Sequence, residues 1–465
     1  MIPILSGNVA SALPSGYEVA NSCRFNSADS AQLSKSVGSS ATTKYTLSLW
    51  VKRGLITNGT GTGQRFFTST GGSGLGDTYF RFNQDDTIEI SGHGSSASTG
   101  GYVITNRLFR DPTAWMHIVI RYDSTESSAN DRFRLYINGV DERTVGGYST
   151  STMPNSSVAD NITASGNTIR IGATASAQYF NGYLTEIHFS EGQSYAPTEF
   201  GEYDEDSPTI WKPKKADISY GTSGFHLDFE DSSNMGNDAN GGTDFTETNI
   251  DATDQATDTC TNNFATINLL YYTTSQSTLS DGNLTATSSG ANWNNFHSTI
   301  APSTGKWYWE VKVVNVGSNT HPIGIVGTDD SELNKTSLGD AFDNGTTGIS
   351  YVQTGDKDVA GSRTSYGDSY TTNDIIGVAM DLDNHKLYFS KNGTFQNSGN
   401  PASGATGTGA ISIVSGHSYL ASFAHYNTMV DSINFGSPSF AISSGNADGN
   451  GYGNFEYSVP SGYLS

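Results

Sequence analysis

Basic residues are scarce in this chain. Lys and Arg total 24 against 46 Asp and Glu, a formal net charge of −22 at pH 7. Such a surface repels phosphate backbones and anionic bilayers, so neither a nucleic acid nor a membrane is expected as a partner. Charged residues of both signs make up only 15% of the chain, against roughly 25% in an average domain. Cysteine is nearly missing. Cys23 and Cys260 stand far apart and in no metal-ligand spacing, so no disulfide framework is implied and both read as ordinary buried or half-buried thiols. No long stretch has a period of 3.6, which argues against helices. The opening MIPILSGNVASALPSG lacks the basic region of a signal peptide, and its apolar run is too short to span a bilayer.

What the chain has is turn chemistry between short apolar alternations. Glycine alone accounts for 53 of 465 residues, and aromatics stand at 11%, too many for a disordered chain. The length predicts two or three domains, and the pattern predicts an all-β fold. One hairpin organises the reading. Ile376, Val378, Met380 and Leu382 alternate along a strand, Asp383-Asn384 supplies a turn, and Leu387 and Phe389 continue on the inward face of a second strand. Asn392-Gly393 then closes it with the strongest short hairpin signal. The same unit occurs earlier, with WMHIVIRY (115–122), a polar loop, FRLYI (133–137) and Asn138-Gly139. Two copies predict two β-sandwiches of similar construction.

Divided in order, residues 1–20 read as a docking arm or a first strand, 21–200 and 285–440 as sandwiches, 201–284 as a polar connector, and 441–465 as a tail alternating Gly with aromatics. YTLSLWVKR, the Trp115 strand, FRLYINGV, IRIGA and FNGYLTEIHFS resemble the laminin G-like branch of the concanavalin A-like sandwiches. GKWYWEVKV, PIGIVGTDD, GISYVQTGDK, DIIGVAMDLDNHKLYFSKNG and SINFG resemble a SPRY domain in family order. The first resemblance implies a jelly roll that binds glycans or proteins at its loop rim, in some relatives with calcium. The second implies a sandwich that binds proteins or peptides through variable loops, without catalytic apparatus. GYLTEIHFSEG, WKPKK, GFHLDF and TCTNNFATIN are similar to a connector in structural proteins of tailed bacteriophages, marine ones especially.

Residues with chemistry are sparse. Glycosidases of this fold place two carboxylates near one bond, and Asp381 with Asp383, or Asp228 with Glu230, have the required spacing. The first pair flanks a hairpin turn and the second an apparent edge strand, so both read as structural and no catalytic residue is assigned. Asp231, Asp238, Asp244, Asp251, Asp254 and Asp258 lack the D-x-[DN]-x-[DN]-G spacing of a calcium loop and read as a solvated wrap. Glu186 and His188 fall on one strand face, opposite Ile187 and Phe189, and together with Glu191 are expected to be exposed. No metal ligand set or cofactor is assigned. Sugar rings stack on flat aromatic faces, which makes Trp293, Tyr351 and Tyr366 the ligand-binding candidates.

The expectation for function is a non-enzymatic virion structural protein on the surface of a phage particle, as a tail fibre or head fibre, presenting lectin-like modules to host glycans or proteins. Its partners would be other virion proteins (portal, tail or capsid), and symmetry predicts a homo-oligomer. Assembly in the host cytoplasm and release by lysis need no secretory signal. The alternatives are a capsid decoration or cementing protein without receptor function, and a spike that depolymerises polysaccharide.

Overall fold

A computed structural model describes residues 16–57, 59, 61–71, 77–93, 100–271, 276–333 and 341–465. Most of the stretch expected as a docking arm, residues 1–15, lies outside the described residues. The architecture is all-β, and among the described residues no helix is long and apolar enough to cross a membrane. The chain divides into two compact units, Pro14–Asn263 and Phe264–Ser465.

In the first unit one sheet runs Phe133–Ile137, Met116–Asp123, Lys44–Arg53, Gly182–Glu191 and Ser22–Phe25. The other runs Tyr102–Thr105, Ile88–Ser91, Thr78–Phe82, Gln64–Gly71, Asn167–Ile171 and Gln32–Ser36. Alternation decides which residues meet between them. Leu47, Leu49, Val51, Ile118 and Ile120 face Phe67, Phe80, Phe82, Ile90 and Ile169 in one continuous core. Both residues of the Asn138-Gly139 turn have positive φ (48° and 78°), and Ile137 pairs Val140 across it. That is the primed turn the dipeptide predicts.

Residues 201–263 belong to this unit and are not a free connector. Phe225–Leu227 pairs with Gly182–Glu191, Thr246–Thr248 with Gln32–Ser36, and Gln255–Ala256 with Ser22–Phe25. Phe225, Leu227, Phe229, Met235 and Phe245 enter the core. The stretch looked like a linker because these anchors are spaced widely among polar residues. Its aspartates are a solvated wrap only in part: Asp231, Asp244 and Asp251 are exposed, while Asp238 and Asp258 are buried. Asp251 and Asp254 form a reciprocal cap on a short helical turn, Asp238 pairs with Lys35 at 3.1 Å, and Asp258 is buried against Lys52 at 2.7 Å and the Trp115 indole N–H at 2.8 Å.

The second unit repeats the plan. One sheet runs Thr285–Ser288, Val430–Asn434, Lys306–Asn315, Ile375–Asp381 and Lys386–Lys391, the other Trp293–His297, Tyr419–Tyr426, Pro322–Gly327, Ile349–Val352, Asp356–Val359 and Ser362–Ser365. Val378 pairs Phe389 and Met380 pairs Leu387, so the inward faces expected of the two strands meet. Asn392 and Gly393 again take positive φ, 48° and 79°. Tyr388 and Ser390, which alternation turns outward, are nevertheless buried. The tail lies over that face, with Phe455 and Tyr463 against Tyr308, Ala379 and Tyr388. The buried Glu310 accepts backbone N–H groups of Glu456 and Tyr457 at 2.9 and 2.8 Å, which ties the tail to the sheet.

Candidate functional site

Of the aromatic candidates, Tyr351 and Tyr366 lie inside the second core, ringed by Tyr370 and Phe389. The Tyr351 hydroxyl donates to the Asp368 carbonyl, and the Phe389 N–H donates to the Tyr366 hydroxyl at 3.3 Å. Neither offers a ring face to solvent. Trp293 is half-buried on the edge strand Trp293–His297, tilted against Tyr426 with centroids 5.5 Å apart. The structure does not bring the three together into one platform that a ligand could reach.

The acidic pairs are held by turns. Asp381 is buried, accepts the Asn384 N–H at 2.9 Å and pairs with Lys306 at 3.2 Å, while Asp383 accepts the Gly305 N–H at 2.8 Å. Asp228 accepts the Glu230 N–H at 3.1 Å next to Phe229, whose φ is 60°. Glu191 accepts the Ser223 N–H at 2.8 Å.

Titratable groups converge instead on the outer face of Gly182–Glu191. Leu184, Ile187 and Phe189 all enter the core, a spacing that breaks strict alternation by one residue. The strand accommodates it with a bulge. Thr185 pairs Trp50 but His188 pairs Ser48, leaving one extra residue, and Glu186 takes a φ of 48°. Without the bulge, the parity of Leu184 would aim Glu186 at apolar side chains. With it, Glu186 and His188 turn outward together. The expectation that they are exposed is corrected here: both are buried, at 4% and 3% exposure, because residues 195–263 cover that face. The missed partner is His226, brought alongside by the pairing of Phe225–Leu227, its ring stacked on His188 at 4.0 Å. His188 Nε2 lies 3.1 Å and His226 Nε2 3.4 Å from Glu186 Oε2, which also accepts the Tyr17 hydroxyl at 3.1 Å. His188 Nδ1 meets the Tyr220 hydroxyl at 2.8 Å. Burial disfavours the Glu186 carboxylate, but His188 and His226 more than offset it and hold the acid well below its ordinary range. Burial, then His226, pushes His188 down, so its imidazole is neutral near pH 7.

On the same face Trp50, His117 and Trp211 form a column with successive ring centroids 4.8 and 6.0 Å apart. The Trp211 indole donates to His117 Nδ1 at 2.9 Å, leaving Nε2–H to donate to Ser48 Oγ at 2.8 Å. In the second unit Asp431 Oδ2 lies 3.0 Å from His321 Nε2 and 2.8 Å from His425 Nε2, all three fully buried. Among the described residues these two sets of two histidines and one carboxylate are the groupings with metal-ligand proximity. No complete motif announced either, because the third member of each set, His226 or His321, lies far in sequence from the other two. A shallow polar depression on the first unit is lined by Arg81, Asn83, Asp85, Glu89 and Gln178.

The chain is similar at low identity to several solved structures. The SPRY domain of human HERC1 is 14% identical, with 36% of this chain and 96% of that one covered at a TM-score of 0.28. A second human SPRY domain is 12% identical, with 38% and 99% covered and a TM-score of 0.26. The native heptameric SAP-like pentraxin of Limulus polyphemus is 12% identical, with 39% and 80% covered and a TM-score of 0.29. No curated protein matches by sequence. Two family models do, one for each unit. Residues 25–193 match the concanavalin A-like lectin/glucanases superfamily and residues 306–417 match the SPRY domain, so a domain of each kind is found within the chain.

Proposed function

We propose that the chain is a non-enzymatic structural protein on the surface of a tailed bacteriophage particle, in a tail fibre or head fibre, and that its sandwiches recognise a glycan or protein of the host. The observation that carries the binding half is the construction itself: two domains of binding type, each matched by its own family model. The phage setting rests on the similarity of motifs within residues 182–268 to a phage connector. The engagement of Asp228 and Asp381 in turns supports a non-enzymatic reading, since a carboxylate fixed by local donors is not poised over a glycosidic bond. Recognition falls to rims and loops. The depression around Arg81 and Asn83 offers both donors and acceptors to sugar hydroxyls.

Cryo-electron microscopy of the purified particle tests this directly. A few symmetric copies at the tail or on head fibres, together with reduced phage adsorption when free protein is added to host cells, would support it. Copies spread over the head lattice with no effect on adsorption would favour a cementing role. A particle without this chain would sink the virion reading.

A further inference from the structure

The geometry points to a divalent transition-metal site of the zinc class on the first sandwich, with Glu186 Oε2, His188 Nε2 and His226 Nε2 as its three protein ligands. A tetrahedral ion with bonds of about 2.0–2.1 Å sets its ligand atoms about 3.3–3.4 Å apart. The two ligand edges here are 3.1 and 3.4 Å. Two imidazoles and one carboxylate are a donor set suited to zinc, cobalt or iron and unsuited to calcium, which takes oxygen.

Three features favour an ion over a pair of hydrogen bonds. The first is that His226 Nε2 is buried and makes no hydrogen bond of acceptable geometry, although it points at Glu186 from 3.4 Å. An ion between the two groups satisfies both. The second is the surrounding shell. The Tyr220 hydroxyl on His188 Nδ1 and the Tyr17 hydroxyl on Glu186 orient the ligands from outside, as partners of metal ligands do. The third is access. His226 is only half-buried, so the site is not sealed from solvent. The Asp431 cluster shares the donor set but is wholly enclosed, and both its Nδ1 atoms and Asp431 Oδ1 stay unpartnered whether or not an ion is present. The bulge at Glu186 thereby gains a purpose, since it converts a residue aimed at the core into a ligand. The ion would tie Gly182–Glu191 to Phe225–Leu227 and so fasten the covering segment to the sheet.

The test uses the full chain, stripped with a chelator and dialysed against zinc or cobalt. One equivalent should bind, and cobalt should give the intense visible bands of a tetrahedral site with nitrogen and oxygen ligands. His226→Ala, at the half-buried position, should lose that equivalent while the metal-free protein keeps its thermal transition. Tyr220→Phe should weaken affinity by about 10–100-fold without changing stoichiometry. Failure of the parent chain to bind either ion would overturn the site. So would an undiminished equivalent in His226→Ala, which would place the ion elsewhere.

Discussion

At the scale of single residues, buried histidines set how the protein meets acid. Burial, then the neighbouring His188, lowers the His117 pKa from 6.5 to about 3, and burial lowers that of His297 to about 4. Below pH 6.5 the unfolded chain takes up protons that these folded-state imidazoles refuse. The stability they contribute is therefore whole above that pH and lost as pH falls toward their folded values. At pH 4 the loss from His117 alone is about 3 kcal/mol. Melting temperatures between pH 7 and pH 4 should fall steeply, and the slope should flatten in His117→Gln; an identical slope would show that another group governs the loss. The hairpin glycines are the other sensitive points. At Gly139 and Gly393 an added Cβ would sit 2.5 Å from the Trp211 ring and from Tyr457 Cδ1, at φ values of 78° and 79°. Alanine at either position should cost about 1–3 kcal/mol, read from the urea midpoint.

Elements explain what could and could not be read from the sequence. The paired strands and their Asn-Gly turns were legible, because burial on one face imposes a period of two and a primed turn demands positive φ. The covers were not. Residues 195–263 and 441–465 are polar chains whose few anchors, among them Phe200, Trp211, Phe455 and Tyr463, follow no period. Alternation turns Glu186, His188 and Tyr388 outward, and the covers nevertheless bury all three. The bulge did leave a trace in the spacing of Leu184, Ile187 and Phe189, but His226 and the carboxylate it meets are joined only by tertiary pairing. Tyr351 and Tyr366 qualify as ligand candidates by sequence because a packed ring and a stacking platform look alike there. The covers make a direct prediction. Ending the chain at residue 440 would bare Tyr308 and Tyr388 and strip Glu310 of two backbone donors. Strong binding of a hydrophobic dye and a broadened unfolding transition are expected, and a sharp transition at the parent temperature would show that the tail is dispensable.

For the whole molecule, each unit has its own two-sheet core. Fragments 14–263 and 264–465 should each unfold cooperatively when expressed alone, as followed by circular dichroism; a fragment without a transition would contradict independence. With 46 acidic against 24 basic residues, the chain should also pass through a heparin column at physiological salt. The covers have a last consequence, in the order of synthesis. In both units the strands emerge from the ribosome before the segment that shields their outer face. At roughly 5–20 residues per second, a nearly finished sandwich waits for seconds with its aromatic side bare. A chain cut short within either cover is thus left in the form that proteases and chaperones recognise.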